Sequence, residues 1–208
     1  MSKRFYAILV ALFVCMGLVS VSHAASGSDP VGLLQSIADE MISSLKSHKA
    51  TLKTNPGEVY SIANRLVVPH ADLDYMSQRV LPPQVWNGAT SAQRSEFKRQ
   101  FTTVLERTYA SALADYNDQT INFYPVRGGV DGKTTVTVNS QINRSDAPSI
   151  SVSYSLVRAG SQWKLYDMTV EGVSMLESFR SQFGDILNTG NMAELNRRLA
   201  EHNAGRGQ

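Results

Sequence analysis

The chain has 208 residues, with 20 lysines and arginines, 18 aspartates and glutamates, and one cysteine, Cys15. This length is enough for one domain with a sizeable core. Without Lys3 and Arg4, which lie in the first residues, the basic and acidic counts are equal. A nucleic-acid partner therefore has no electrostatic support.

The first 24 residues have the pattern of a secretory signal peptide. A short basic stretch precedes an uncharged, apolar run from Phe5 to Val21, and Ser22-His23-Ala24 offers small residues for cleavage. An uncleaved anchor is the alternative, but the apolar run is short for a span of about 20 residues. Cys15 follows a valine, which argues against lipid attachment. We expect cleavage after Ala24, which leaves a mature chain without cysteine that must be stabilised by packing.

The first half of the mature chain is predicted to be helical. Asp29-Pro30 and Asn55-Pro56 each combine an N-cap residue with a proline in the first turn. A shorter helix is expected from Asp72 to Val80, stopped by Pro82-Pro83. Thr90-Ser91-Ala92-Gln93 fits a capping box and opens the longest helix.

After Asn117 the apolar period changes from about 3.6 to 2, which predicts strands. Four strands with short links indicate an antiparallel meander with one apolar face. They are expected at Ile121 to Phe123, Thr135 to Ile142, Ile150 to Leu156, and Gln162 to Val170, with a hairpin turn at Ala159-Gly160.

Two further helices are predicted after the sheet. The first has Leu176, Phe179 and Phe183 on one side, and the second carries Leu195 and Leu199. Helices grouped around an antiparallel sheet predict an α+β fold in which N-terminal helices pack on a curved four-stranded sheet. We expect one domain over residues 25–200 and a polar tail over residues 201–208.

The last long strand carries apolar residues at both parities. Simple alternation predicts that Trp163 and Leu165 point to one face, and that Tyr166, Met168 and Val170 point to the other. Either the strand is covered on both sides, or one set packs against helices while the other lines a pocket.

Ser174 follows a predicted strand and opens a helix, as the nucleophile of an α/β-hydrolase does. That elbow needs Gly-x-Ser-x-Gly, and here Leu176 stands where the second glycine belongs. Ser174 and Glu177 fit a capping box instead. We therefore expect Ser174 to cap a helix, and we assign no catalytic residue.

The sequence gives no pattern for a metal or cofactor site. His23 lies in the predicted signal peptide, His202 lies in the predicted tail, and His48 and His70 lie near helix ends without partners at ligand spacing. Asp72 and Asp74 are explained by a helix start, where the dipole favours acids. No zinc motif, Walker loop or glycine-rich dinucleotide turn is present.

The segment YDMTVEGVSM, residues 166–175, closely resembles the YD…EGVSM signature of the MlaC family of periplasmic phospholipid-shuttle or toluene-tolerance auxiliary proteins. Other segments agree, including NRLVVPHADLDYMSQRVL, TSAQRSEFKRQFTTVLERTYASAL and FGDILNTGNMAELNRRL. The resemblance covers nearly the whole mature chain.

The resemblance implies an NTF2-like cone that holds a glycerophospholipid as cargo, with its acyl chains in an apolar cavity and no cofactor. It also implies a periplasmic monomer that exchanges lipid with two complexes. One is an inner-membrane ABC transporter bearing MCE domains, and the other is an outer-membrane lipoprotein–porin complex.

Two other functions fit the same fold, namely a pocket enzyme of the isomerase or dehydratase type and a peptide-binding chaperone. Tyr166 and Asp167 are adjacent on a strand, point to opposite faces, and so do not form a catalytic dyad.

For a lipid carrier we predict a binding wall from the sheet, the long helix and the second helix. Its residues are Leu66, Val67, Phe101, Leu105, Tyr109, Val138, Val152, Tyr154, Leu156, Tyr166, Met168 and Val170. Arg94 and Glu171 are predicted to contribute to docking on the membrane complexes.

Overall fold

The computed structural model describes residues 29–52, 55–114, 119–145, 147–188 and 190–205, so the predicted signal peptide lies outside it. Within these residues, helices lie before and after an antiparallel sheet, which confirms the predicted α+β class. The helices are α1 (Pro30–Ser47), α2 (Lys49–Leu52), α3 (Pro56–Leu66), α4 (Leu73–Val80), α5 (Pro83–Gly88), α6 (Ser91–Ala114), α7 (Met175–Leu187) and α8 (Met192–Asn203). The strands are β1 (Thr120–Phe123), β2 (Thr135–Asn143), β3 (Ile150–Ala159), β4 (Gln162–Val170) and β5 (Val173–Ser174).

Acidic side chains cap two of the predicted helix starts. Asp29 Oδ1 accepts a hydrogen bond from the backbone N–H of Val31 at 3.0 Å before α1. Asp72 Oδ1 accepts from the N–H of Tyr75 at 2.9 Å before α4. Asn55 precedes α3 as predicted, but its side chain makes no capping hydrogen bond. Local sequence thus positions these helices before any tertiary contact is considered.

Thr90 and Gln93 form the predicted capping box before α6. The Thr90 N–H donates to Gln93 Oε1 at 2.9 Å, and the Gln93 N–H donates to Thr90 Oγ1 at 3.2 Å. The prolines just upstream do more than stop α4, because Pro83 opens the short helix α5. Proline suits the first helical position, where its missing N–H has no partner to lose.

The strands are arranged in the order β1-β2-β3-β4-β5, and every neighbouring pair is antiparallel. This is the predicted meander with one additional strand of two residues at the edge. Glu171 and Gly172 make the turn into β5, and their φ angles of 49° and 84° are both positive. That is the geometry of a two-residue type I′ hairpin turn, which brings the chain back along β4 before α7 begins.

Opposite residues in an antiparallel pair point to the same face of the sheet, so the register defines two faces. We call one of them the apolar face. Its central pairs are Val136–Leu156, Val138–Tyr154 and Ser140–Val152 between β2 and β3, and Leu156–Leu165, Tyr154–Met168 and Val152–Val170 between β3 and β4. The other is the polar face, which carries Thr137, Asn139, Gln141, Ser151 and Ser153.

A β-bulge in β4 corrects the predicted alternation. Ser155 pairs with Asp167 and Leu156 pairs with Leu165, which leaves Tyr166 without a partner on β3. The extra residue restores the apolar parity, so Met168 and Val170 lie on the same face as Leu165 instead of the opposite one. Simple alternation fails here because a bulge depends on the neighbouring strand, which a single strand's sequence does not contain.

Among the residues that the structure describes, the buried apolar side chains form three clusters, whereas a domain usually has one contiguous core. The helical cluster is built around Met76, Val80, Leu81, Trp86, Phe97, Phe101, Val104, Leu176, Phe179, Phe183, Leu195 and Leu199. The α1–α3 cluster contains Met41, Leu45, Leu52, Val59, Ile62 and Leu66. The sheet cluster contains Leu34, Val136, Val138, Leu156 and Trp163. Because α1 contributes to both of the last two clusters, it bridges the sheet and α3.

Four phenylalanines bring α6 and α7 together in the helical cluster. Phe97, Phe101, Phe179 and Phe183 have ring centroids 5.3 to 5.7 Å apart, mostly in edge-to-face geometry. Aromatic pairs in this arrangement gain about 0.5–1.5 kcal/mol each beyond the area they bury.

Two asparagines attach α8 to α6 along the other side of that helix. Asn196 Nδ2 donates to the backbone carbonyl of Gln93 at 3.0 Å. Asn203 Nδ2 donates to the carbonyl and to the side-chain oxygen of Gln100 at 2.9 and 2.7 Å. The predicted polar tail was to begin at Glu201, but α8 extends through Asn203, which is 9% exposed. The buried amide of Asn203, with two acceptors on Gln100, thus holds the part of the helix that lies beyond its apolar stripe.

The pairing of Asn203 with Gln100 predicts a stability effect. Asn203→Ala removes two buried hydrogen bonds and leaves the side-chain oxygen of Gln100, itself 4% exposed, without this donor. We expect the free energy of unfolding in urea to fall by about 1–3 kcal/mol. His202→Ala on the exposed side of the same helix is the control and should change stability by less than about 0.5 kcal/mol. Equal stability of the two variants would contradict the prediction.

Candidate functional site

Ser174 lies at the start of α7, and its hydroxyl group serves the helix. Its Oγ accepts from the N–H of Glu177 at 3.1 Å and donates to Asp167 Oδ2 at 2.7 Å. Asp167 Oδ1 in turn accepts from the N–H of Leu176 at 3.0 Å. Among the described residues, no histidine bonds to this hydroxyl group. Both groups therefore cap a helix, in agreement with the structural role predicted for Ser174.

The second half of the predicted capping box is wrong. Glu177 was expected to reach back to the backbone of Ser174, but its carboxylate lies 3.5 Å from the guanidinium of Arg180. The carboxylate of Asp167 takes the second capping role, because β4 runs beside the start of α7. Sequence spacing alone did not reveal this, since Asp167 lies seven residues before the helix start that it caps.

Glu171 has a structural role in the turn between β4 and β5. Its N–H donates to the carbonyl of Ser151 at 2.9 Å, and its carboxylate accepts from the N–H of Ser151. A positive φ at a residue with a side chain is unfavourable, and these two hydrogen bonds help to hold it. The signature segment is thus a joint made of a bulge, a carboxylate cap and a tight turn.

Arg94, the other predicted docking residue, is also engaged within the chain. Its guanidinium donates to the carbonyls of Trp86 and Asn87 at 3.0 and 3.3 Å and lies 5.3 Å from the centre of the Trp86 ring. It therefore closes the end of α5 onto α6. Arg94 is only partly buried, so part of the residue remains accessible to solvent.

Tyr166 packs away from the other predicted wall residues. Its ring lies 4.9 Å from that of Tyr75, and the Arg79 guanidinium lies 5.3 Å from it. Arg79 also donates to the hydroxyl of Tyr75 at 2.7 Å, which raises the pKa of Arg79. The bulge thus directs Tyr166 to α4, where it belongs to the helical cluster.

The structure distributes the predicted wall over all three clusters. Phe101, Leu105 and Tyr166 belong to the helical cluster, and Leu66 and Val67 belong to the α1–α3 cluster. Val138, Tyr154 and Leu156 belong to the sheet cluster. Tyr109 lies outside the residues whose side chains the structure describes.

Val152, Met168 and Val170 share the apolar face but belong to none of the three clusters. Three residues that the sequence analysis did not assign to the wall continue it: Ile121 opposes Ile142, and Ile142 opposes Ile150. All of these except Val152 are only partly buried. Their alternation with polar neighbours was visible in the sequence, but their position at one end of the sheet required the register.

The polar face carries two open clefts. The larger has a volume of about 650 Å³ and is lined by Tyr124, Pro125, Arg127, Asn139, Ser140, Gln141, Ser151, Val152 and Ser153. The smaller has a volume of about 340 Å³ and is lined by Val126, Arg127, Lys133, Thr135, Val136, Thr137, Asn139 and Tyr166. Both linings mix polar and apolar residues, and the lipid-binding wall stays a prediction for the apolar face.

The described ranges have neither a metal-ligand cluster nor a membrane-spanning helix. No group of three His, Cys, Asp or Glu side chains lies close enough there to hold a metal ion. None of the helices described has both the length and the apolar character needed to cross a bilayer.

The fold and the site define an α+β protein whose antiparallel sheet has one apolar face, part of which packs against α1. Its conspicuous serine belongs to a helix cap. The family profile described as MlaC protein matches residues 35–201. The chain belongs to the MlaC family.

Two curated relatives are each 28% identical to the chain. One is "Toluene tolerance protein ttg2D" of Pseudomonas putida, aligned over 86% of this chain and 80% of its own length. The other is "Intermembrane phospholipid transport system binding protein MlaC" of Haemophilus influenzae, aligned over 89% of this chain and 86% of its own. A crystal structure of the phospholipid-binding protein of Ralstonia solanacearum in complex with a phospholipid superposes with a TM-score of 0.79. It is 27% identical, over 86% of this chain and 99% of that one.

The capping role of Ser174 leads to a prediction. Ser174→Ala should lower the free energy of unfolding by about 0.5–2 kcal/mol, because the Glu177 N–H loses its acceptor. The exposed Ser181 on the same helix provides the control, since Ser181→Ala should leave stability nearly unchanged. Thermal or urea denaturation of the three proteins measures the difference. Wild type should also resist labelling by a fluorophosphonate, and a label on Ser174 would contradict the capping role.

Proposed function

We propose that this protein is a non-enzymatic carrier of phospholipid in the periplasm. The acyl chains lie against the apolar face of the sheet, between it and the helices, while the headgroup stays in water. The names of the two relatives and the phospholipid bound to the Ralstonia protein support this proposal. We further propose that residues 1–24 are a cleaved signal peptide and that residues from Ala25 onward form one lipid-binding domain.

The observation that carries the proposal is the division of the interior. In the described part of the chain the buried apolar residues form three separate clusters, and the end of the apolar face belongs to none of these. Met168, Val170 and Ile142 are apolar, lie on the apolar face and remain partly exposed. An unfilled apolar wall is costly for a stable domain unless an apolar ligand covers it.

The energetics of the cargo favour a container of this kind. Burial is worth about 0.8 kcal/mol per methylene, so two long acyl chains in water carry a gross penalty of about 20 kcal/mol. A lipid therefore needs an apolar enclosure to cross an aqueous compartment at a useful rate. The enclosure needs apolar contact area and no reactive group. The capping roles of Ser174 and Asp167 agree with this requirement.

We propose two partners, an inner-membrane ABC transporter complex with MCE domains and an outer-membrane lipoprotein–porin complex. The family membership supports a transport system of this type. Equal numbers of basic and acidic residues in the mature chain suit a protein that must leave anionic membrane surfaces again. Arg94 and Glu171 remain our proposed contributors to docking, although both also have partners within the chain.

The first test is lipid content. Protein purified from the periplasm should carry phospholipid, seen by native mass spectrometry as an added mass and identified after organic extraction. A pocket enzyme or a peptide-binding chaperone would instead be purified empty or with peptide. Protein that neither contains phospholipid nor takes it up from vesicles would refute the carrier function.

Val152 offers a test of the binding wall. It is 3% exposed, lies on the apolar face and belongs to no packed cluster. Val152→Trp should therefore reduce the lipid recovered per protein, because the indole competes with the acyl chains for space. In a close-packed core the same change would destabilise by about 1–3 kcal/mol. Melting of the delipidated proteins separates the two cases, since the mutant should melt close to delipidated wild type.

Val173→Trp is the matched control, because Val173 is 63% exposed at the edge of the sheet. It introduces the same bulk and should leave lipid content unchanged. A Val152→Trp protein with normal lipid content and a much lower melting temperature would mean that the wall is ordinary core.

Docking is tested with Glu171→Gln, which removes the charge but keeps an oxygen that accepts from the Ser151 N–H. A charge at the edge of an interface acts mainly on association rate and its salt dependence. We expect slower association with the partner complexes at low salt and unchanged thermal stability. Identical association kinetics of the variant and wild type at low and high salt would remove Glu171 from the interface.

A further inference from the structure

A polar residue interrupts the apolar face at its centre. Ser140 lies on β2 between Val138 and Ile142, opposite Val152 on β3. It is 3% exposed, and its Oγ has no hydrogen-bond partner among the described residues. Buried hydroxyl groups are almost always paired, so an unpaired one in a native protein needs an explanation.

Tyr154 brings a second hydroxyl group to the same place. It lies on β3 opposite Val138, one residue pair along from Ser140 on the same face. Its ring packs against Phe123 with centroids 5.6 Å apart. Burial raises the pKa of Tyr154 and the nearby Ser140 hydroxyl opposes that rise, so the phenol is protonated at neutral pH. The two groups lie close together without meeting the geometry of a full hydrogen bond.

The other unpaired buried oxygens described in the chain have different surroundings. Those of Asn196 and Asn203 belong to amides whose nitrogens are bonded to α6. That of Ser77 lies in α4, within the tightly packed helices. Ser140 instead lies between Phe123 and Val152, at the border between the sheet cluster and the part of the apolar face that none of the described clusters includes. Its hydroxyl is therefore positioned for a ligand on the apolar face.

The surroundings also indicate which ligand group is bound. The paired positions of the apolar face around Ser140 are Phe123, Val138, Ile142, Val152 and Tyr154, and none is a lysine or arginine. An anionic phosphate or carboxylate would therefore be buried there without a countercharge. Two neutral hydroxyl donors match a neutral acceptor. In a phospholipid, the neutral acceptors next to the acyl chains are the ester carbonyls.

We infer that Ser140 and Tyr154 form a hydroxyl pair that donates hydrogen bonds to an ester carbonyl of the bound phospholipid. This rests on the proposed carrier function and adds a determinant of cargo selection to it. Acyl chains alone would be held by non-directional contact, which gives no depth of insertion. A hydrogen bond to the carbonyl fixes the depth and favours diacyl lipids over lipids in which ether links replace the esters.

The test is competition between two lipids with the same headgroup and chain length, one diacyl and one dialkyl ether. Delipidated protein is loaded from mixed vesicles containing equal amounts of both, and occupancy is read by native mass spectrometry. A hydrogen bond of ordinary strength predicts about a two- to tenfold preference for the diacyl lipid in wild type. Ser140→Ala and Tyr154→Phe should each bring that ratio close to one while still binding lipid.

Tyr124→Phe is the matched control, because the Tyr124 hydroxyl donates to Gln141 on the polar face. It should keep the wild-type ratio. Ser140→Ala should also leave the delipidated protein at least as stable as wild type, because it removes an unpaired buried hydroxyl.

The outcomes separate this inference from the carrier function. Wild type that binds both lipids equally, or variants that both keep the wild-type preference, would overturn the hydroxyl pair and leave the carrier function intact. Wild type that takes up neither lipid would overturn both.

Discussion

The carboxylate of Asp167 is the contact on which the arrangement of sheet and C-terminal helices depends. It accepts from Ser174 and from the N–H of Leu176, so one side chain of β4 fixes where α7 begins. The residues on either side of it depend on that junction. Tyr166 is displaced by the bulge toward α4, and Glu171 and Gly172 turn the chain back into β5. Because α7 carries Phe179 and Phe183 into the helical cluster, this short segment joins the two halves of the fold.

The bulge at Tyr166 also determines how the apolar surface is divided. Without it, Met168 and Val170 would point to the polar face, and the apolar face would end near Leu165. With it, β4 extends the apolar face along its whole length while Tyr166 completes a different cluster. One inserted residue therefore supplies both a longer apolar face and a packing contact for α4. A bulge lets one strand contribute side chains to two packed surfaces.

Much of this fold follows from local chemistry that the sequence makes visible. The capping side chains of Asp29, Asp72 and Thr90 mark three helix starts, because each satisfies backbone N–H groups within a few residues. The change of apolar period after Asn117 marks the sheet for the same reason, since side-chain alternation is a local property. The role of Ser174 was visible in part, because its own cap is local.

The features that the sequence did not predict depend on groups distant in sequence or on backbone shape. The bulge requires β3 as a reference, the Asp167 cap requires β4 to lie beside α7, and the end of α8 requires Gln100 from another helix. The candidate site shows the same limit. Apolar type and parity predicted both Val152 and Phe101 as wall residues, and only the assembled clusters distinguish the two, because Phe101 is packed among rings. Ser140 was not predicted as a site residue, because serine is common in strands and its burial depends on neighbours that are distant in sequence.

The asparagine pairs between α6 and α8 have a mechanical consequence. Gln93 and Gln100 are seven residues apart on α6, and their partners Asn196 and Asn203 are seven residues apart on α8. The two helices thus run in the same direction with matched spacing, and a slide of one turn, about 5.4 Å, would break both pairs together. Apolar contacts by themselves have no such preferred register. The paired amide hydrogen bonds therefore fix the register of α8 on α6, and the two helices are expected to move as one unit.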